Sequence, residues 1–143
     1  MREIKFRGIC NEKGTNYYGK FIHGYLGYEN NINPIETVGD NDITDYSIYD
    51  ELTFIEVKKE TIGQYTGLKD KNGVEIYEGD ILQHPLQKNT KWEVKWHDGK
   101  TELQNQEGEF IGWSAITKNI QAELTNGFSQ CEVIGNIHEG ERK

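Results

Sequence analysis

The run TIGQYTGLKDKNGVEIYEGDIL, residues 61–82, constrains the fold more than any other stretch of this chain. It joins two apolar, strand-like runs through Asn72-Gly73. That dipeptide is the strongest short-range hairpin signal, because both central positions of the favoured turn need positive φ. Glu78-Gly79-Asp80 then reads as a second tight corner. Gly79 supplies an unusual φ there and Asp80 accepts backbone N–H groups, so both are turn formers before they are ligands. The same holds for Asp70 and Asn72 around Gly73. The corner feeds a strand from Ile81 to His84, and Pro85 either stops that strand or places it at an edge.

Strand signals continue on both sides. In residues 3–9, Ile4 and Phe6 point one way while Lys5 and Arg7 point the other, as in a half-buried strand. After the turn-forming NEKGTN, residues 17–28 are aromatic, with glycines at 19, 24 and 27, and read as a long strand with a bend. Strands 3–9 and 17–26 are expected to pair as a hairpin. Residues 29–60 shift to Asn, Asp and Glu and are expected to form a partly ordered excursion ending in a strand at 53–58. Downstream, Trp92, Val94 and Trp96 share one face and Lys91, Glu93, Lys95 and His97 the other. Asp98-Gly99 is expected to turn that strand back, setting Trp96 opposite Thr101, Lys95 opposite Glu102 and Val94 opposite Leu103. Residues 109–114 read as a strand. Ile116, Ile120 and Leu124, four apart, predict one short amphipathic helix over 115–124. Residues 131–136 close as a final strand.

A chain of 143 residues suits one domain of ordinary size. Only 34% of it is apolar, so eight Tyr, five Phe and three Trp must supply much of the buried area. The net charge of −8 is uneven: residues 29–60 carry −7, residues 1–28 carry +3 and the remainder −4. Such a balance argues against coating DNA or a membrane surface, both of which need clustered Lys and Arg. No secretory leader and no membrane-length apolar run is visible. Cys10 and Cys131 lie far apart without a partner motif, so two reduced thiols in a cytoplasmic protein are expected.

REIKFRG followed by YYGKFIHGYL, the central TIGQYTGLKDKNGVEIYEGDIL and the terminal CEVIGNIHE occur in an order that resembles the YopX family. Its members are small proteins encoded mainly by phages and prophages of bacteria. The resemblance spans nearly the whole chain and implies a mainly β fold. It divides the chain into an N-terminal β-hairpin at 1–28, an acidic variable segment at 29–60 and a part from 61–143. From Tyr77 onward that part would be a small, strongly bent SH3-like barrel. At most one short helix is expected. The family has no established activity that would assign roles to particular residues.

No linear catalytic motif stands out. His23, His84, His97 and His138 are scattered, with no metal-binding spacing. Neither cysteine sits in a nucleophile motif, and Gly63 and Gly67 are not in a phosphate-loop context. Asp40, Asp42 and Glu51 mimic an oxygen-rich calcium loop, but Asp45 stands where that loop needs glycine. A solvated acidic loop is the simpler reading. Trp92, Trp96, Trp113, Tyr65 and Tyr77 would build an aromatic binding groove. Core filling competes with that reading for Trp92 and Trp96, because Val94 shares their face. The expectation is therefore a non-enzymatic domain without a cofactor that binds a protein partner in the bacterial host's cytoplasm. A nucleic-acid-binding barrel is the alternative, an enzyme without a linear motif comes third, and self-association remains open.

Overall fold

The computed structural model describes residues 4–30, 44–49, 54–100, 109–117 and 120–141. They are mainly β, with antiparallel strands and two short 3-10 turns. The chain divides into two compact units at Gln64/Tyr65.

In the first unit, β1 (Phe6–Ile9), β2 (Phe21–Asn30), β3 (Thr44–Tyr49) and β4 (Phe54–Val57) pair in consecutive antiparallel order. The expected N-terminal hairpin is present, with Phe6 opposite Gly24 and Ile9 opposite Phe21. It begins later in its second arm than the aromatic run suggests. Tyr17 and Tyr18 lie in the connecting turn, and Gly19 takes φ 76°. The acidic segment contributes β3 as well as the expected strand at 53–58, which is β4. Ile48 explains the extra strand. It is fully buried and sits in register between Leu26 and Ile55, and burying it outweighs the weak strand propensity of Asp45 and Ser47.

The end of β4 returns to the residue that follows β1. Val57 bridges Cys10, the Lys58 N–H donates to the Ile9 carbonyl (2.9 Å), and the Asn11 N–H donates to the Glu56 carbonyl (3.1 Å). Thr61 clips the same place. Its Oγ1 accepts the Ile9 N–H at 2.8 Å and donates to the Lys58 carbonyl at 2.7 Å. This approach leaves no room for a side chain at Gly8, where a Cβ would lie 2.9 Å from both Cβ and Cγ2 of Val57. The Val57 atoms sit on a short β-branched side chain that cannot swing away. Gly8→Ala should therefore cost about 1–3 kcal/mol, measured by urea unfolding, despite alanine's lower entropic cost of ordering.

β5 (Gly63–Lys69) starts in the first unit, where Arg7 faces Gly63 and Phe6 faces Gln64. It continues into the second, where it pairs with β6 (Glu75–Tyr77). Tyr65 faces Tyr77 and Lys69 faces Glu75, so Thr66, Gly67 and Leu68 all oppose Ile76. Gly67 takes φ 87° within this bulge.

The second unit adds β7 (Asp80–Gln83), β8 (Lys91–Lys100), β9 (Glu109–Ile116), β10 (Gln121–Glu123), β11 (Glu132–Asn136) and β12 (Gly140–Glu141). Their order is β10-β9-β8-β7-β11-β12. The core comprises Ile76, Leu82, Val94, Trp113, Ala115, Leu124, Cys131 and Val133, with Leu68, Trp92 and Phe128 packed against it.

Two sequence expectations fail in this sheet. Asp98-Gly99 does not turn: β8 runs through it, and Trp96 faces Trp113 rather than Thr101. The two-residue turn is a local preference. The observed ladder of eight pairs instead sets Val94 against Ala115, both wholly buried. Residues 101–104, the expected partners, lie outside the described residues. The helix expected over 115–124 is also not found among the described residues of that stretch. Ala115 and Ile116 belong to β9, Gln121–Glu123 form β10, and the Thr117 N–H donates to the Ile120 carbonyl at 2.9 Å. A helix from 115 would break the pairs Ala115–Val94 and Ile116–Glu93, and Ile120 is in any case half exposed.

Candidate functional site

Three of the buried polar side chains in the second unit, Asp70, Asp80 and Asn136, hold its corners. Asp70 takes three backbone N–H groups: Oδ1 accepts from Asn72 (2.8 Å) and Val74 (2.9 Å), and Oδ2 accepts from Val133 (3.0 Å). The first two shape the turn at Asn72-Gly73, where Gly73 has φ 81°. The third ties that turn to β11, across 63 residues of sequence. Asp80 Oδ2 accepts the Tyr77 N–H at 2.8 Å, and Gly79 takes φ 90°. The Gly79 N–H donates to the Val94 carbonyl (2.8 Å), and the Gly79 carbonyl accepts the Ile137 N–H (2.9 Å). Asn136, opposite Asp80 in the ladder, accepts the His138 and Glu139 N–H groups at 2.9 Å each through Oδ1. Of these bonds, the ones to the Tyr77 and Val133 N–H groups are buried, so there Asp80 and Asp70 satisfy backbone that would otherwise lack a partner.

Of the five aromatic residues singled out by the sequence, Trp92, Trp96 and Trp113 fall on one face of the β8–β9 pair, while Tyr65 and Tyr77 face each other on β5 and β6. Tyr65 and Tyr77, both buried, pack at 5.5 Å across β5 and β6. Trp92 meets Phe128 edge-on at 5.4 Å and closes one side of the core. Trp96 meets Trp113 edge-on at 5.0 Å. Within this last pair the environments differ sharply, Trp113 being 8% exposed and Trp96 45%. Trp96 shares a face with Val94 but sits farther along the strand, where the ring of Trp113 is its support.

A groove that the sequence reading did not foresee lies between the β5 bulge and the turn after β10. Gly67, Leu68 and Lys69 line one side and Thr125, Phe128 and Ser129 the other, with Ile76 also in its lining and a volume of about 220 Å³. No motif marks these residues. The three-against-one bulge opposite Ile76 carries Leu68, which shares the lining with Phe128. The first unit has its own, more open and more polar cleft of about 330 Å³, lined by Asn11, Tyr46, Val57 and the charged residues Glu56, Lys58, Lys59 and Glu60. Lys59 Nζ lies 5.6 Å from the centre of the Tyr46 ring.

Asp40, Asp42 and Glu51, the acidic triplet, lie outside the described residues. Among the described residues, no group of three or more His, Cys, Asp or Glu is placed to hold a metal ion. Cys10 and Cys131 are both buried free thiols, and burial pushes the Cys131 thiol above its ordinary pKa, which makes it a poor nucleophile. No helix among the described residues is long and apolar enough to cross a membrane.

The family model of the YopX protein matches residues 5–142, nearly the whole chain. No curated protein matches the sequence. The chain belongs to the YopX family.

Proposed function

We propose that this YopX-family chain is a phage or prophage accessory protein that binds a protein partner in the host cytoplasm and performs no catalysis. The observation that carries this reading is Trp96. Nearly half of a large amphipathic ring faces solvent while its other edge is held at 5.0 Å against the buried Trp113. A ring fixed in this way loses little conformational freedom when a partner covers it, and Trp is among the residues that dominate binding energy at interfaces. Asp70 and Asp80 point the same way. These two buried carboxylates in the second unit are used on backbone N–H groups at corners. We also read the part from Tyr77 onward as a small, strongly bent barrel of the SH3-like kind. The irregularity in β11 between Val133 and Gly135 and the corner at Gly79 both support that curvature.

Trp96→Ala tests the reading. It should leave the protein folded, at a cost of about 1 kcal/mol from the lost edge contact with Trp113. It should weaken capture of the cross-linked host or phage partner by tenfold or more, because a central Trp typically contributes about 2 kcal/mol or more to an interface. Equal capture by both proteins would reject Trp96 as the contact. Salt-sensitive binding of oligonucleotides in the absence of any protein partner would put the nucleic-acid reading in its place.

A further inference from the structure

The groove between Gly67–Lys69 and Thr125–Ser129 has an apolar floor of Leu68, Ile76 and Phe128, two hydroxyls and one ammonium group in its lining. We propose that it docks an extended, acidic segment of the partner protein, taking one Leu- or Met-sized side chain between Leu68 and Phe128 and setting a neighbouring carboxylate against Lys69. This inference rests on the protein-binding reading above and names the chemistry of the partner.

Four features carry it. The volume, about 220 Å³, suits a single medium side chain and is too small for a helix face. The lining contains fully buried Ile76, with Leu68 and Phe128 half-buried. The walls are fixed before anything binds. Thr66 Oγ1 donates to the Ile76 carbonyl (2.8 Å) and accepts the Leu68 N–H (3.2 Å), which pins the bulge, while Trp92 backs Phe128 edge-on. A preformed groove avoids ordering costs on binding. Finally, the groove's own lining carries one cation, Lys69, in a chain of net charge −8, and Glu75 faces that lysine across the β5–β6 ladder from outside the lining. Lys69 lines the groove, Lys71 lies two residues further along in its own ion pair with Glu132 at 3.7 Å, and no acidic side chain is among the lining residues. A carboxylate beside the apolar anchor therefore gains attraction here, whereas a basic segment would not. The hydroxyls of Thr125 and Ser129 add polar groups to the opposite wall.

The test titrates the isotope-labelled full chain with acetyl-Thr-Leu-Asp-Thr-amide and follows backbone amides by NMR. Shifts should concentrate at Gly67, Leu68, Lys69 and Ser129. Replacing the peptide's Leu by Ala should weaken binding about tenfold, the loss expected for one buried aliphatic side chain. Lys69→Glu should weaken the acidic peptide and remove most of its salt dependence. Ser129→Trp, at an exposed position that tolerates bulk, should fill the groove and abolish the shifts. Peptide binding that survives in Ser129→Trp, shifts scattered over the molecule, or shifts at these amides caused by a short oligothymidylate instead of the peptide would each overturn the proposal. Capture of the protein partner separates the two readings. If Ser129→Trp still captures it through Trp96, the groove assignment fails and the protein-binding reading stands. If neither the unaltered chain nor the variant captures any protein, the reading beneath it fails.

Discussion

Replacing Asp70 by alanine is expected to destabilise the chain by about 3 kcal/mol, among the largest effects of any single polar substitution in it. Asp70 is 6% exposed and its carboxylate accepts three backbone N–H groups. Alanine leaves all three donors without that acceptor. Asn72 and Val74 belong to a turn that water can reach, so their loss is partly recovered. The Val133 N–H is in a buried bond, and orphaning it carries a larger share of the roughly 1–3 kcal/mol typical of an unsatisfied buried donor. Asp70→Asn separates the two contributions. Its amide oxygen can still accept the turn N–H groups, but its NH₂ would then face the Val133 N–H, donor against donor. Urea midpoints should fall in the order wild type, Asp70→Asn, Asp70→Ala. A midpoint for Asp70→Ala indistinguishable from wild type would show that the Asp70 contacts contribute nothing to the fold.

Leu82→Ala is expected to cost as much again, about 3 kcal/mol. Leu82 has no exposed surface and lies between Trp92 on β8 and Val133 on β11. Truncation forfeits the burial of most of an aliphatic side chain. It also opens a cavity that the flanking strands cannot collapse, because the sheet spacing holds them apart. Leu86→Ala is the control. At 88% exposure Leu86 has almost nothing to lose, and its change should stay within about 0.5 kcal/mol. Similar losses for both substitutions would contradict the placement of the core.

These effects show where sequence reading reaches and where it stops. β7 and β11 were legible because their signals are local: period-two alternation, and Gly, Asn, Asp or Pro at their ends; β1 and β2 were legible as a hairpin, but the facing of β1 was not, since Arg7 is buried and Ile4 exposed. β8 was half legible. Its alternation places Trp92, Val94 and Trp96 on one face, but its length depends on a contest between Asp98-Gly99 as a turn and a long ladder with β9. Local chemistry favours the first and non-local burial of Val94 against Ala115 decides for the second. The supposed helix at 115–124 failed for the same reason, its first two residues being claimed by β8. β3 was hidden because, among its residues whose burial is described, Ile48 alone is both apolar and fully buried, too little to mark a strand among acidic neighbours. The unexpected groove was illegible because no spacing connects Leu68 with Phe128. That Asp70 also reaches Val133 could not be read from the turn, where the aspartate's local role already explains its presence.

The exposure of Trp96, on which the functional reading depends, follows from the β8–β9 register. Sliding that register would bury the ring elsewhere or strip it of Trp113. Cross-strand nuclear Overhauser contacts in the full chain measure it directly. We expect backbone contacts between Trp96 and Trp113 and between Val94 and Ala115, continuing through Asp98 and Ile111. Contacts instead between Trp96 and Thr101 and between Val94 and Leu103, with Asp98-Gly99 as a two-residue turn, would contradict the register and remove the supported, half-exposed indole with it.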